Sequence, residues 1–232
     1  MLGVVVPAHD EEALIGACLG SLFHASRSPR LHGEPVVIVV ALDACRDATE
    51  SIANHQGAIT VAVNSCNVGA ARACGARQAL KAGARWLAFT DADSVVAPDW
   101  LATQLDQHCD AVCGTIEVGD WGDWGEHGER VRQHHLANYT DADGHRHIHG
   151  ANLGVTAQAY QKVGGFQSMV SSEDVALVSA LHRIGASIAW SAAPRVVTSA
   201  RRAYRAPGGF GERLARVEQG LKTHRSGSGA AR

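Results

Sequence analysis

Two carboxylates separated by one residue, Asp91 and Asp93, directly follow an apolar segment with the composition of a strand, Trp86 to Thr90. Beyond a strand end, carboxylates at positions i and i+2 can reach one ion, or one can bind a metal while the other binds a ribose hydroxyl. Hard oxygen ligands suit Mg²⁺ or Mn²⁺, ions that bridge the oxygens of a diphosphate and neutralise its charge. Asp is common in turns, so the preceding strand is what makes this pair predict a metal and diphosphate site.

The elements that must position this pair are visible as β-branched runs alternating with helical patterns. Strands are predicted at residues 2–7, 36–42, 59–63 and 86–90. This alternation predicts an α/β fold with a doubly wound, mostly parallel sheet covered by helices on both faces. Ligands of such sheets bind beyond the carboxyl ends of the strands. Polar residues gather at those ends: His9, Asp10, Asp43, Asn67, Asp91 and Asp93.

The second half of the chain has shorter apolar runs, typical of a sheet that is extended by antiparallel strands. Strands are expected at residues 111–118, 151–155, 187–190 and 195–198, and helices at 122–139, 157–163 and 173–184. No linker divides the chain, so we predict a single domain over residues 1–222. Residues 223–232 are small and polar, and we expect them to be disordered.

Three features in the middle of the chain each allow two interpretations. A second pair, Asp141 and Asp143, has no strand before it, and we interpret it as part of a mobile loop. The alternating histidines of residues 145–149 have a spacing that zinc sites use, but a flexible His-rich loop is the favoured interpretation. Trp121 and Trp124 could stack on a sugar or pack in the core, and the sequence favours neither.

Composition excludes several classes of function. The formal net charge of −2 and the pI of about 6.7 give no reason to expect a nucleic-acid partner. There is neither a basic leader nor an apolar run approaching the ~20 residues of a transmembrane segment, so we expect a soluble, cytoplasmic protein. The six cysteines form no CxxC pair and are expected to be free thiols in a reducing compartment.

Six segments match known motifs in a fixed order: residues 4–12, 42–49, 67–75, 91–93, 149–166 and 173–174. In that order they are similar to P-x-x-N-E-E after a hydrophobic run, D-D-x-S-x-D-x-T, N-x-G-x-x-x-A-R-N-x-G, the metal motif D-x-D, an acceptor-side segment and an E-D motif. Through these segments the chain resembles family 2 glycosyltransferases, which have a GT-A fold and invert the anomeric centre.

The resemblance implies a role for each matching position. Asp93 and Asp91 would bind Mn²⁺ or Mg²⁺, with Asp93 as the main ligand. Residues 1–95 would bind the nucleotide-sugar and residues 96–222 the acceptor. The nucleotide-sugar site would include Pro7, His9, Glu11, Asp43, Arg72, Asp91 and Asp93, with the first five around the nucleotide base and ribose. The acceptor site would include Glu173, Asn152 and Gly150.

The resemblance also implies that Asp174 is the general base, which deprotonates an acceptor hydroxyl as it attacks the anomeric carbon. Glu173 and Asp174 also follow Ser171 and Ser172. The pair can therefore be explained, without any catalytic role, as the acidic first turn of a helix.

Two departures from the family pattern affect the donor. Leu42 replaces a carboxylate used for base recognition, which leaves UDP, GDP and TDP open, with UDP favoured. The histidine that many relatives supply to the metal from the C-terminal part is missing after Thr198. Arg201 and Arg202 could instead bind the diphosphate directly, or they could be exposed arginines before a terminal helix.

Two functions of other classes compete with glycosyl transfer. A sugar-phosphate nucleotidyltransferase has a related architecture but usually holds its triphosphate with a basic, Gly-rich loop after the first strand. Residues 8–12 are acidic in this chain and would repel a triphosphate. A non-catalytic module that binds a nucleotide-sugar is the second alternative, and the presence of Asp93 and Asp174 argues against it.

Overall fold

The computed structural model describes residues 1–201 and 210–226, and within these ranges it has ten strands and eight α-helices. The strands are β1 Leu2–Ala8, β2 Val36–Asp43, β3 Ile59–Val63, β4 Trp86–Phe89, β5 Ser94–Val96, β6 Ala111–Gly114, β7 Glu117–Gly119, β8 Leu153–Thr156, β9 Ile188–Ser191 and β10 Val196–Ser199. The helices are α1 Ile15–Ala25, α2 Thr49–His55, α3 Val68–Lys81, α4 Trp100–Leu105, α5 Gly128–Asn138, α6 Ala157–Lys162, α7 Glu173–Arg183 and α8 Phe210–Ser226.

The main sheet has seven strands in the order β3-β2-β1-β4-β8-β6-β9. Within it only β8 runs against its neighbours β4 and β6, while every other pair is parallel. The predicted doubly wound, mostly parallel sheet with an antiparallel extension is therefore confirmed. Strand β8 joins the strands of the first half to those of the second, so the sheet is continuous across both.

Both faces of the sheet are buried, which explains the nearly uninterrupted apolar strands. Side chains alternate along β1: Val4 and Val6 belong to a core cluster that includes residues of α1, whereas Val5 belongs to a cluster on the other face. The second cluster includes Ala76 and Ala79 of α3. Helices thus cover both faces, and the carboxyl ends of β1, β2 and β4 open on one edge.

A second sheet of three strands, in the order β5-β10-β7, lies next to that edge. Strand β10 is antiparallel to β5 and parallel to β7, and Thr198 is paired with Ser94. The prediction of a single strand over residues 111–118 is therefore wrong, because β6 and β7 belong to different sheets. Strand β5 has only three residues and was not predicted, although it places β10 beside Asp93.

The polar helix expected over residues 122–139 is also interrupted. A 3₁₀ helix, Gly122–His127, precedes α5, and Gly125 within it has a positive φ of 53° that interrupts the helical conformation. At the other end of the chain, residues 223–226 lie in α8, although the predicted disordered tail begins at residue 223. Residues 227–232 lie outside the described part.

Candidate active site

Asp91 and Asp93 lie just beyond the end of β4, near the middle of the main sheet. The Asp93 side chain is 13% exposed, and its Oδ2 lies 3.1 Å from Nη2 of Arg201. Burial and the charge of Asp91 raise the pKa of Asp93 to about 6, and Arg201 opposes this rise. Two carboxylates this close together create a strongly anionic site that favours a cation.

Arg201 is held between two acidic residues. Its Nη1 and Nη2 donate to Oε2 and Oε1 of buried Glu11, each at 2.7 Å, while Nη2 also faces Asp93. The interpretation of Arg201 as an exposed arginine is therefore wrong, since this side chain lies inside the acidic site. Arg202 lies outside the described residues. The sequence did not reveal the pairing because Glu11 and Arg201 are far apart in the chain and meet only through the placement of β10.

A cavity of about 500 Å³ adjoins this ion pair, between the loops that follow β1 and β2. Its lining is polar and charged apart from two residues, and consists of Asp10, Glu11, Glu12, Ala13, Leu14, Arg46, Asp47 and Arg201.

Asp43, at the end of β2, holds the loop that leads into α3. Its two carboxylate oxygens accept four hydrogen bonds, from the backbone nitrogens of Ser65, Cys66 and Asn67 and from the Ser65 hydroxyl. Burial opposes the charge on Asp43, but these bonds lower its pKa overall. The carboxylate is therefore fully engaged within the protein.

Two residues of β1 and its loop were also predicted to lie in the nucleotide site. Pro7 is buried inside β1, whereas His9 is exposed just beyond the strand. His9 Nδ1 lies 2.6 Å from the carbonyl oxygen of Asp43, which connects the loops after β1 and β2.

Arg72, expected beside the nucleotide base, is buried between two carboxylates. Its side chain is only 4% exposed, its Nη2 donates to Oδ1 of Asp91 at 2.5 Å, and its Nη1 donates to Oε1 of Glu173. Burial opposes the charge on Arg72, but the adjacent carboxylates raise its pKa overall. Burial raises the pKa of Glu173, and Arg72 counteracts that effect.

Asp174 lies in the first turn of α7, partly exposed, beside Gly150. Its Oδ2 accepts from the backbone nitrogen of Gly150 at 2.9 Å, and its Oδ1 accepts from that of Val175 at 2.8 Å. Both interpretations of the acidic pair therefore have support: Asp174 binds a backbone donor of the helix start, and it also lies next to the cluster of Asp91, Arg72 and Glu173.

Asn152, predicted in the acceptor site, is a core residue. It is fully buried, and its amide nitrogen donates to the carbonyl oxygens of Thr115 and Pro194 at 2.7 and 2.8 Å. Its oxygen accepts from Nε1 of Trp100 at 2.9 Å. Both amide hydrogens are used in these bonds, so Asn152 fastens α4 and two chain segments and does not reach a ligand.

The segment between α5 and β8 is tied to the rest of the protein. Asp141 accepts from Thr115 and Arg195, and Asp143 accepts from Ser191 and from the backbone of Ala192. The second D-x-D pair is thus a loop, as interpreted, but both of its carboxylates anchor it, contrary to the mobility we expected.

The rings around the alternating histidines are stacked. Tyr139 stacks on His147 at 4.2 Å between ring centroids, and its hydroxyl lies 3.0 Å from Nε2 of His149. Tyr139 was not singled out in the sequence, since nothing in its neighbourhood marks it. Of the two tryptophans, Trp124 is buried with Val131 in a separate core cluster, which supports the core interpretation.

A divalent cation fits the site by the chemistry of the donors. Asp91 is 35% exposed and Asp93 partly exposed, and both offer the oxygen ligands that Mg²⁺ and Mn²⁺ prefer. Across residues 1–201 and 210–226, no three His, Cys, Asp or Glu side chains are arranged to hold a metal. The donor set therefore suits an ion that is completed by phosphate oxygens and water, as is usual for Mg²⁺.

A mostly parallel sheet with acidic residues beyond a central strand and antiparallel extensions defines the GT-A class of α/β proteins. Three solved structures share the fold. Mannosyltransferase PcManGT from Pyrobaculum calidifontis, in complex with GDP-Man and Mn²⁺, is 20% identical, with a TM-score of 0.63 over 87% of this chain and 57% of that one. S. aureus TarS 1-349 with UDP-GlcNAc is 16% identical, with a TM-score of 0.64 over 94% and 65%. GalNAc-T7 with UDP, GalNAc and Mn²⁺ is 16% identical, with a TM-score of 0.61 over 86% and 44%.

The sequence model of glycosyl transferase family 2 matches residues 3–164, which is more than half of the chain. The protein therefore belongs to glycosyl transferase family 2. No curated protein sequence matches it. The chain spans less than two thirds of the length of the three solved proteins. In the part of the chain that the structure describes, every helix is too short or too polar to cross a membrane.

Proposed function

We propose that this protein transfers a sugar from a nucleotide-diphosphate sugar, with UDP favoured as the nucleotide, to an acceptor hydroxyl, with inversion at the anomeric carbon. One observation carries the proposal: buried Arg72 is bonded to Asp91, which follows a central strand, and packs on Gly150, whose backbone N–H is bonded to Asp174 at the start of α7. A single displacement requires a base for the acceptor that is held at a fixed position relative to the donor.

The donor diphosphate lies, in this proposal, beside Asp93 and Arg201. Arg201 is a positive side chain inside the acidic site, and a guanidinium can bind two phosphate oxygens at once. Mn²⁺ or Mg²⁺ bound at Asp91 and Asp93 would supply charge neutralisation for the diphosphate as it leaves.

The nucleotide base extends from there toward the loops after β1 and β2. We infer that Asp43 shapes this region indirectly, because its four hydrogen bonds fix the loop of residues 65–67. His9, exposed beside it, is the better candidate for direct contact with the nucleotide, while Pro7 supports the loop from within β1.

Asp174 acts on the acceptor side. Its Oδ2 takes the proton of the acceptor hydroxyl while the hydroxyl oxygen forms a bond to the anomeric carbon. The bond from that carbon to the diphosphate oxygen breaks at the same time, and the nucleoside diphosphate leaves with the electron pair. The backbone N–H of Gly150, 2.9 Å away, keeps this carboxylate oriented.

The test is a donor screen with UDP-glucose, UDP-GlcNAc, GDP-mannose and TDP-glucose, each with Mn²⁺ or Mg²⁺, read out by melting temperature and by release of nucleotide. We expect one donor to stabilise the protein and to release its nucleotide in a metal-dependent manner. Asp174→Asn should bind that donor normally and lose at least about 100-fold in turnover. Asp93→Ala should lose both metal stimulation and turnover.

Asp106→Asn is the matched control, because Asp106 is an exposed carboxylate that pairs with Arg30 far from the site. Protection by a nucleoside triphosphate and a sugar phosphate instead of a nucleotide-sugar would favour the nucleotidyltransferase. Donor binding with no turnover, for every acceptor and for water, would favour the non-catalytic module. Unchanged turnover in Asp174→Asn would remove the assignment of the base.

A further inference from the structure

Arg72 is enclosed on all sides by parts of the site that come from different regions of the chain. It projects from α3 and bridges Asp91, which follows β4, and Glu173, which begins α7. The ring of Phe166 lies 5.7 Å from its Cζ. An arginine that binds two carboxylates through a planar fork restricts the position of both.

Gly150 packs directly on the guanidinium. A Cβ at position 150 would lie 2.4 Å from Cζ of Arg72, so only glycine allows this approach. The backbone nitrogen of the same Gly150 donates to Oδ2 of Asp174. Arg72 therefore limits where the backbone N–H of Gly150 lies, and this N–H is the group that donates to Asp174. Arg72 itself makes no hydrogen bond to that carboxylate.

The helix that carries Arg72 is fixed against the acceptor side as well. A Cβ at Gly69 would lie 2.3 Å from the carbonyl oxygen of Gln167 and 3.2 Å from Cβ of Glu173. Asn67, just before α3, donates from Nδ2 to the carbonyl oxygen of Met169 at 2.6 Å. These contacts leave α3 and the start of α7 little freedom to move relative to each other.

We propose that Arg72 is a positioning residue that fixes the separation of Asp91 on the donor side and Asp174 on the acceptor side. The inference rests on the proposed function, since it assigns those two carboxylates to the two substrates. It differs from the contact with the nucleotide base that the resemblance implies, because the side chain is 4% exposed and both of its Nη atoms are bound to carboxylates.

The test is Arg72→Lys, assayed with the donor identified by the screen and with water or a known acceptor as nucleophile. Lysine keeps the positive charge, so neither Asp91 nor buried Glu173 is left without a cation, and the variant should fold. A single ammonium cannot hold two carboxylates in a fixed geometry. We expect kcat to fall by roughly 100-fold, the size of effect that misplacing reacting groups by about 1 Å produces.

The second readout is UDP binding by calorimetry, which should change less than about threefold because both Nη atoms of Arg72 are bound to carboxylates. Arg77→Lys is the control, since Arg77 is an exposed arginine on the same helix. Unchanged kcat in Arg72→Lys would overturn the proposal. A loss of UDP affinity with kcat retained would also overturn it and would restore the predicted contact with the nucleotide.

Gly150→Ala perturbs the same geometry from the opposite side, without changing any charge. The added Cβ must displace the guanidinium, so we expect a similar loss of kcat with UDP affinity retained. Full activity in this variant would contradict the proposal independently of Arg72→Lys. Failure of the proposed function is distinguishable, because the wild-type protein would then release no nucleotide from any donor in the screen, whatever the variants did.

Discussion

Asp93 contacts Arg201, a partner that no sequence pattern predicts. As the second carboxylate of the D-x-D pair, it is expected to bind a metal. In the folded protein its Oδ2 also lies 3.1 Å from Arg201, while Oδ1 lies 3.4 Å from the hydroxyls of Ser94 and Thr198. The arginine thus neutralises the same carboxylate that the metal is proposed to bind, and the two cations compete for it.

This competition predicts the behaviour of Arg201→Gln. Without the guanidinium, the site of Glu11, Asp91 and Asp93 is more negative, and Mn²⁺ alone should bind about tenfold more tightly. UDP affinity in the presence of Mn²⁺ should fall, because a contact to the diphosphate is lost. Mn²⁺ titrations followed by electron paramagnetic resonance, with and without UDP, measure both effects.

Arg195→Gln is the matched control, since Arg195 is an exposed arginine paired with Asp141. Equal or weaker binding of Mn²⁺ alone in Arg201→Gln would show that the two cations do not compete at Asp93.

At the scale of an element, the segment from α5 to β8 contains a stack of rings that leads to Gly150. His149, one residue before Gly150, is half-buried beside Tyr139, and desolvation lowers its pKa to about 3, with further lowering by His147, Arg213, His145 and His135. Desolvation also lowers the pKa values of His135 and His147. The stack therefore requires neutral imidazoles.

This requirement makes the stability of the protein sensitive to acid. Below pH 6.5 an unfolded chain protonates His149 while the folded protein does not, so stability is lost as the pH falls from about 6.5 toward 3. We expect this residue to contribute a loss of about 1 kcal/mol per pH unit below pH 6. His149→Gln, which cannot take up a proton, should show a shallower decline in melting temperature between pH 7 and pH 4.5.

His55→Gln, at the exposed end of α2, is the corresponding surface substitution and should leave the slope unchanged. Parallel curves for His149→Gln and the wild-type protein would mean that His149 is not the residue responsible.

At the scale of the whole molecule, one continuous sheet and a few buried polar side chains hold the two halves of the chain together. Strand β8 pairs with β4 over residues 153–156, and Asn152 immediately before it connects α4 to the segments around Thr115 and Pro194. The segment that carries Gly150 is therefore fixed next to β4 and Asp91 by the strand that joins the two halves of the sheet.

Asn152→Leu tests this structural role. It removes the partners of Trp100 Nε1 and of two buried carbonyl groups, each of which costs about 1–3 kcal/mol when left unsatisfied. We expect the free energy of unfolding to fall by about 3 kcal/mol or more, measured by urea denaturation, with UDP affinity unchanged. Asn138→Leu, at the exposed end of α5, is the control. A stable Asn152→Leu with a raised KM for the acceptor would instead support the predicted acceptor contact.

Local patterns were sufficient for the parallel half of the fold. The apolar runs of β1, β2 and β4 predict buried strands because strands covered on both faces need apolar residues at nearly every position. The positions of Asp43, Asn67, Asp91 and Asp93 at or beyond the ends of β2, β3 and β4 then follow from the geometry of parallel sheets. The sequence by itself therefore determined the fold class, the edge of the sheet that forms the site and the family to which the chain belongs.

Tertiary structure decided which of the predicted residues meet. Arg72 and Glu173 are 101 positions apart and Glu11 and Arg201 are 190 apart, and such pairs depend on how α3, α7 and β10 pack. The same holds for Asn152, whose amide was predicted to face a ligand but lies in the core. Charge, burial and hydrogen-bonding capacity are satisfied in three dimensions, so the type of a residue indicates what it can bind, whereas only its packing determines what it does bind.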